Sequence, residues 1–323
     1  MAVKTIAVLT AGGDAPGMNA AVRAVVRTAL ANGLRVLGIR RAYEGMVQGE
    51  FCELGARDVG GIIQRGGTFL KTARFPQFGE LETQRAGLVQ LKTHGANALV
   101  AIGGDGTMRG ALALHRLGFP VMGIPASIDN DVYGTDISIG VDTALNTIIE
   151  AIDKLRDTAS SHQRAFIVET MGRKCGHLAL MSGIISGAEM TLIPEQDVPP
   201  EEVAAAVREA YARGKTHAIV VVSEGAKYPA IALKEKLNEM QLDVDLRVTV
   251  LGHVQRGGSP SAWDRLIAAR LGVNAVERLI NGESGVMVAL QAREVRPVPM
   301  EEAGTRQRPP DMEFYRMARM LAK

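Results

Sequence analysis

The chain has 323 residues, 46% hydrophobic and 22% charged, with 37 Lys and Arg against 35 Asp and Glu. That length provides for two domains with sizeable cores, and the near-balance of charge offers no bulk argument for nucleic-acid or membrane-surface binding, although local arginine clusters can still hold anions. No apolar stretch approaches the roughly 20 residues that span a bilayer, no targeting signal precedes the first strand, and Cys52 and Cys175 lack metal-ligand spacing, so free thiols in a reducing, cytoplasmic setting are expected.

Residues 3–10, VKTIAVLT, read as a buried strand ending in Ala11-Gly12-Gly13-Asp14-Ala15-Pro16-Gly17, a glycine turn into a helix. In that helix Met18, Ala21, Val22, Val25, Val26, Ala29 and Leu30 follow the helical period. Arg23 and Arg27 fall outside the stripe, and on their own they read as a solvated basic face. Residues 34–39 form a second short strand. Arg65-Gly66-Gly67-Thr68 leads into TFLKTARFP, where Arg74 is either a loop ion-pair residue or a cation that stabilises charge on a transferring phosphoryl group. Residues 80–94 form an amphipathic helix, and the alternation so far is that of a doubly wound α/β sheet.

The apolar run 98–102 stops at Gly103-Gly104-Asp105-Gly106, and Thr107 opens a helix-period segment. Glycines there let backbone N–H groups approach a polyphosphate, and the helix dipole favours its negative charge. The next strand, 121–124, ends in Pro125-Ala126-Ser127-Ile128-Asp129-Asn130-Asp131, which puts two carboxylates and a hydroxyl on the following loop. In a parallel sheet both loops leave the same edge, where open α/β sheets bind ligands. Phosphates beside several carboxylates imply a divalent metal that offsets the repulsion. Alone, GGDG is equally an ordinary strand-to-helix turn, and IDND alone is a solvated acidic turn. On adjacent loops the pair reads as a phosphoryl-transfer centre.

Residues 141–158 form a helix with Ile148, Ile149, Ile152 and Leu155 on one face, broken by Ser160-Ser161-His162-Gln163-Arg164. A strand over 165–169 meets Met171-Gly172-Arg173-Lys174-Cys175-Gly176, a basic glycine-bracketed turn and a second anion-binding candidate. Helix 200–213, strand 217–222 ending at Glu224-Gly225, and helix 230–240 continue the alternation. Strand 247–251 runs into Gly252-His253-Val254-Gln255-Arg256-Gly257-Gly258-Ser259-Pro260. His253 alone reads as structural, but Arg247 and Arg256 flanking the same strand end make a phosphate pocket the better reading. Helix 260–281, strand 285–290, a proline-bearing tail and a short helix at 312–322 complete the chain. No linker divides it cleanly, so the lobes are expected to exchange segments.

The blocks GGDAPGMNAAVR at 12–23, RGGTFL and ARFP within 65–76, IGGDGT at 102–107, SIDND at 127–131, HQR at 162–164, MGR at 171–173 and GHVQRGGSP at 252–260 resemble, in order, those of the bacterial ATP-dependent 6-phosphofructokinases. The resemblance implies two Rossmann-like lobes with mainly parallel sheets flanked by helices and the active site in the cleft. An ATP-binding lobe would take residues 1–138 and about 253–306, and a fructose 6-phosphate lobe 139–252 and about 307–323. It implies a homotetramer, and a glycolytic activity that moves the γ-phosphoryl group of ATP to the sugar's 1-hydroxyl. Gly12, Arg74, Phe75, Gly104, Asp105, Gly106 and Thr107 would bind ATP, with Asp105 holding Mg²⁺. Ser127, Ile128 and Asp129 would face the sugar, Asp129 as general base. Arg173 and Arg74 would stabilise the transferring charge, while Met171, Gly172 and Glu224 position the sugar. Arg164 and Arg247 of a neighbouring subunit would join His253, Val254, Gln255 and Arg256 around the 6-phosphate. An effector site for ADP or phosphoenolpyruvate would comprise Arg23, Arg27, Arg156, Glu189, Arg213 and Lys215, although the family's arginine near position 56 is Ala56 here.

Two other readings compete. Pyrophosphate-dependent relatives typically carry Asp where this chain has Gly106 and Lys where it has Ala126; small residues at both leave room for a nucleotide's inner phosphate. A non-catalytic nucleotide sensor on the same fold would not require Asp105, Ser127, Asp129 and Arg173 together. No Walker A sequence is present, and no GxGxxG follows the first strand.

Overall fold

In a computed structural model the described residues are 3–162 and 164–322; Gln163 of the HQR block lies outside them. In chain order the elements are β1 (Thr5–Ala11), α1 (Met18–Ala31), β2 (Arg35–Ile39), α2 (Ala42–Gln48), β3 (Phe51–Glu53), α3 (Leu81–Thr93), β4 (Ala98–Gly103), α4 (Asp105–Arg116), β5 (Val121–Pro125), α5 (Val141–His162) and β6 (Arg164–Thr170). There follow α6 (His177–Ser186), β7 (Met190–Leu192), α7 (Pro200–Ala212), β8 (Ala218–Ser223), α8 (Ala230–Glu239), β9 (Asp245–Val250), α9 (Ala262–Ile280), β10 (Val286–Gln291), β11 (Glu294–Pro299), α10 (Met300–Thr305) and α11 (Met312–Leu321). Two units divide the chain: residues 3–127 with Asp131–Thr143 and Arg256–Arg308, and Ile128–Asn130 with Ala144–Gln255 and 309–322.

In the first unit, β1, β4 and β5 are buried along their whole lengths. Strands buried on both faces need cover on both, which is the parallel, helix-flanked arrangement. The sheet order is β11-β10-β5-β4-β1-β2-β3, parallel from β10 to β2, with antiparallel β11 and β3 closing its edges. Helix α1 turns its apolar stripe inward and packs on α9, where a methyl on Gly272 would stand 2.5 Å from the Ala24 Cβ. The second unit has a four-stranded parallel sheet, β7-β8-β6-β9. Its core joins Ile167, Val220 and Val222 to Val203, Val207 and Leu233 of the covering helices.

Two expected boundaries differ. Helix α5 continues through Ser160 and Ser161 to His162 instead of ending at 158. The serines do not break it because Ser161 Oγ bonds back to the Asp157 carbonyl at 3.1 Å and Ser160 Oγ reaches His217 Nδ1 at 2.9 Å. Strand β9 begins at Asp245, so Arg247 lies near its start, away from the turn Gly252–Arg256 that it was expected to flank.

The first turn of α5 is held by a buried carboxylate. Asp264 accepts from Gly140 N and Thr143 N, both at 2.8 Å, and from Thr143 Oγ1 at 2.5 Å; the Ser261 hydroxyl caps α9 by accepting from Asp264 N at 3.1 Å. Burial pushes the Asp264 carboxyl above the usual carboxylate range, and these bonds only partly oppose it. The native state therefore holds this proton at pH values where the unfolded chain has lost it, and stability falls as pH rises from the ordinary aspartate pKa to the raised one. The melting temperature of the wild type relative to Asp264→Asn should decline across that window and level off above it; a pH-independent difference would contradict the assignment.

Candidate active site

The first sheet runs outward from β1 in both directions, β2 on one side and β4 on the other, so the connections diverge between β1 and β4. Their carboxyl ends lie side by side, with Ala11 opposite Gly103. Open α/β sheets bind ligands at such a point. A Cβ on Gly103 would overlap both the Ala11 carbonyl oxygen and the Thr107 hydroxyl, so only glycine lets the strands close here. Gly12 has φ +85°, and a methyl on it would stand 3.6 Å from Thr107 Oγ1. Thr107 is 2% exposed, and its Oγ1 is buried without a hydrogen-bond partner. Gly104 precedes the first residue of α4 and lies beside Ser127, 3.7 Å from a built Cβ to that of the serine.

Asp105 opens α4, where its charge suits the helix dipole. It accepts from Gly106 N at 2.5 Å and from Arg109 Nη1 at 2.8 Å, with its side chain half exposed. Sequence reasoning missed the residue that steadies this turn: Tyr43 donates its buried hydroxyl to the Thr107 carbonyl at 2.6 Å, and its ring presses on Gly110 and stacks on Phe78. Burial raises the Tyr43 pKa, so it stays a donor. Phe75 packs half-buried on the core, and Arg74 beside it is exposed, with no hydrogen bond or ion pair among the described residues. The Arg256 guanidinium lies against Gly13, 3.3 Å from a built Cβ.

On the next loop, Ser127 Oγ donates to Asp131 Oδ1 at 3.0 Å and Ser127 N to the Ile139 carbonyl at 3.1 Å. The Ala126 methyl is buried. Ile128 is buried and Asp129 half-buried; Asn130 has φ +53° and its amide nitrogen lies 3.3 Å from His177 Nε2.

The second sheet has its own divergence at β6, which lies between β8 and β9. At its carboxyl edge Gln255, fully buried, accepts from Met171 N at 3.2 Å and donates to the Gly252 carbonyl at 2.9 Å. Glu224 Oε1 accepts from Gly172 N at 3.4 Å and Arg173 N at 3.2 Å. Gly172 has φ +144°, and a Cβ there would overlap the Cys175 carbonyl. The backbone bonds leave the Arg173 side chain outside, exposed. His253 and Val254 are exposed on the neighbouring 3₁₀ turn.

Arg164 and Arg247 are not part of this edge. Arg164 is the first residue of β6, whose seven residues span roughly 20 Å at about 3.3 Å each. Asp245, which sequence reasoning also missed, collects both arginines: Arg164 Nε at 2.8 Å, and Arg247 Nε and Nη2 at 3.1 and 2.9 Å. The Arg247 hydrogen bond, followed by that of Arg164, holds the Asp245 carboxyl below its ordinary range against the effect of burial.

The phosphofructokinase family profile matches residues 5–279. The chain belongs to the phosphofructokinase family. It is 53% identical over 323 residues to the ATP-dependent 6-phosphofructokinase 1 of Thermus thermophilus, covering 99% of this chain and all of that one. It is 51% identical to the ATP-dependent 6-phosphofructokinase of Thermotoga neapolitana, over 99% of this chain and all of the other. Among solved structures, phosphofructokinase from Saccharomyces cerevisiae superposes with a TM-score of 0.88 at 37% identity, over 93% of this chain and 45% of that longer one.

In this phosphofructokinase the second unit gathers four of the six residues expected to bind an effector. Glu189, 4% exposed, accepts from Lys215 Nζ at 2.7 Å and Ile219 N at 2.5 Å. Arg156 donates to the Ser186 carbonyl, and its Nε is buried without a partner. Arg213 pairs with Glu209 at 3.1 Å and lines a cavity of about 200 Å³ with Glu189, Thr191, Glu202, Tyr315 and Arg319. Burial and the Arg156 and Lys215 charges hold His217 below the ordinary histidine range, against the pull of Glu189. Arg23 and Arg27 are on α1 of the first unit, where Arg27 Nη2 donates to the Ala56 carbonyl at 2.9 Å.

A methyl on Gly225 would overlap the Arg173 carbonyl, whereas one on Gly61 meets open space despite φ +69°. Gly225→Ala should therefore displace the 171–173 turn and lower phosphofructokinase turnover by about tenfold or more. Gly61→Ala should cost about 1 kcal/mol of stability and leave turnover intact. Equal turnover in the two variants would show that the turn's position does not matter.

Proposed function

We propose that the chain is an ATP-dependent 6-phosphofructokinase that moves the γ-phosphoryl group of ATP to the 1-hydroxyl of fructose 6-phosphate. The observation that carries the reading is the glycine-lined junction of β1 and β4, closed to any side chain at Gly103 and opening onto the first turn of α4. The 53% identity to a protein of that name supports it.

Gly12, Gly104, Gly106 and Thr107 bind the phosphates, with Phe75 against the nucleoside and Arg74 on the phosphoryl group. Ser127, Ile128, Met171, Gly172 and Glu224 orient the sugar. The Asp129 carboxylate takes the proton of the 1-hydroxyl as that oxygen bonds to the γ-phosphorus, and the bond to the β–γ bridging oxygen breaks to release ADP. Arg74 and Arg173 stabilise the charge on the moving group. The residues present fit Mg²⁺: Asp105, half exposed at the start of α4 beside the glycine junction, offers one carboxylate, and this ion usually takes one or two carboxylates plus substrate phosphates. Asp105 would hold it, and it would supply neutralisation of phosphate charge.

Arg164 and Arg247, on the far edge of the second sheet, serve the 6-phosphate of a second copy, which requires an oligomer; a homotetramer is proposed. His253, Val254 and Arg256 complete that pocket, and Gln255 holds its turn. Arg23, Arg27, Arg156, Glu189, Arg213 and Lys215 form an effector site for ADP or phosphoenolpyruvate, with the first two and the last four from different copies. No helix among the described residues is long and apolar enough to cross a membrane. Action in the cytoplasm is proposed from the glycolytic reaction alone.

A coupled assay with fructose 6-phosphate should give turnover with ATP and none with pyrophosphate. Turnover with pyrophosphate alone would replace this reading with the pyrophosphate-dependent one, and binding without turnover would favour a sensor. Asp129→Asn keeps the shape but removes the proton acceptor, so kcat should fall by about 10²–10⁴-fold with fructose 6-phosphate affinity much less affected. Near wild-type turnover in that variant, with loss in Asp131→Asn, would identify the other carboxylate as the base.

A further inference from the structure

Asn19 lies in the second position of α1 and is 2% exposed, and neither the resemblance nor the proposed reaction gives it a role. A polar side chain buried there has to find partners. Its whole amide is committed to one distant loop: Nδ2 donates to the Arg65 carbonyl at 3.0 Å and the Gly66 carbonyl at 3.2 Å, and Oδ1 accepts from Phe69 N at 2.6 Å. The loop then returns to the strand that ends in the glycine turn. Thr68 and Thr10 share a hydroxyl contact of 2.5 Å, Thr10 Oγ1 donates to the Lys71 carbonyl at 3.2 Å, and Thr72 Oγ1 donates to the Gly12 carbonyl at 2.9 Å. Two residues later come Arg74 and Phe75.

We infer that Asn19 is a positioning residue for the nucleotide: it sets the 65–72 loop, and through Thr72 and the chain that follows it sets Gly12, Arg74 and Phe75. This rests on the phosphofructokinase reading for the identity of the ligand. Asn19 itself touches no reacting atom. Its donors face two carbonyls and its acceptor faces one N–H, so aspartate, of the same shape, satisfies only the last. The three bonds join segments 46 to 50 residues apart in sequence, and Gly66 is further confined because a Cβ on it would overlap the Gly258 carbonyl. A purely structural asparagine would lower stability without selecting between ligands; a positioning asparagine selects the nucleotide.

The test uses the full chain, titrated with the non-hydrolysable analogue AMP-PNP and Mg²⁺, and separately assayed for KM. Asn19→Ala and Asn19→Asp should weaken AMP-PNP binding and raise the ATP KM by about tenfold or more, leaving the fructose 6-phosphate KM within about twofold, because small misplacements of binding groups are felt at the ligand they serve. Thr72→Val, which deletes only the hydroxyl bond to Gly12, should move the same constants in the same direction by a smaller factor. Val26→Ala, a buried change on the same helix, should lower the melting temperature and move neither KM. Unchanged AMP-PNP affinity in the Asn19 variants, or equal shifts in both KM values, would overturn the inference. If neither Asn19 variant folds, wild-type nucleotide affinity in Thr72→Val overturns it. Affinity judges Asn19 and wild-type turnover judges the proposed reaction, so one can fail without the other.

Discussion

The absence of a side chain at Gly103 is the constraint on which the first unit's site depends. Strands β1 and β4 sit at adjacent places in the sheet, and their ends approach so closely that a methyl would strike the Ala11 carbonyl and the Thr107 hydroxyl together. That closeness turns two ordinary strand ends into one surface of glycine backbone at a helix N-terminus. Tyr43 from below and the 65–72 loop from the side then hold it in place. The Tyr43 bond is buried, which fixes geometry more tightly than an exposed pair could.

The second unit repeats the device with different chemistry. Its divergence point is set by side chains rather than by glycine contact: Gln255 and Glu224 take the backbone N–H groups of Met171, Gly172 and Arg173. This commits the turn's backbone and leaves the arginine side chain outside. At the opposite edge Asp245 keeps two arginines together that would otherwise repel. Removing it would leave two exposed cations adjacent, a modest cost in water and a larger one in geometry.

Much of this was legible in the sequence. Long apolar runs ending in glycine, such as 98–106, announce both strand and turn, and the strands they predict are the buried ones at the centre of each sheet. What was missed is short or set by distant partners. β3, β7 and β11 have three, three and six residues and carry little periodic signal. Asn19, Tyr43, Asp245 and Asp264 act on residues 46, 64, 81 and 121 positions away, and no local pattern encodes such pairings. Arg247 lies away from Gly252–Arg256 despite its nearness in sequence, because it is the third residue of an extended strand that runs on to Val250 before that turn begins.

The central claim is that the β1–β4 junction receives the nucleotide's phosphates. A crystal structure of the full chain with AMP-PNP, Mg²⁺ and fructose 6-phosphate tests it most directly. The account predicts a triphosphate against the backbone of Gly12 and Gly104 to Thr107, with Asp105 at the metal. A nucleotide found only in the cavity lined by Glu189, Arg213 and Tyr315, with the junction empty, would contradict it.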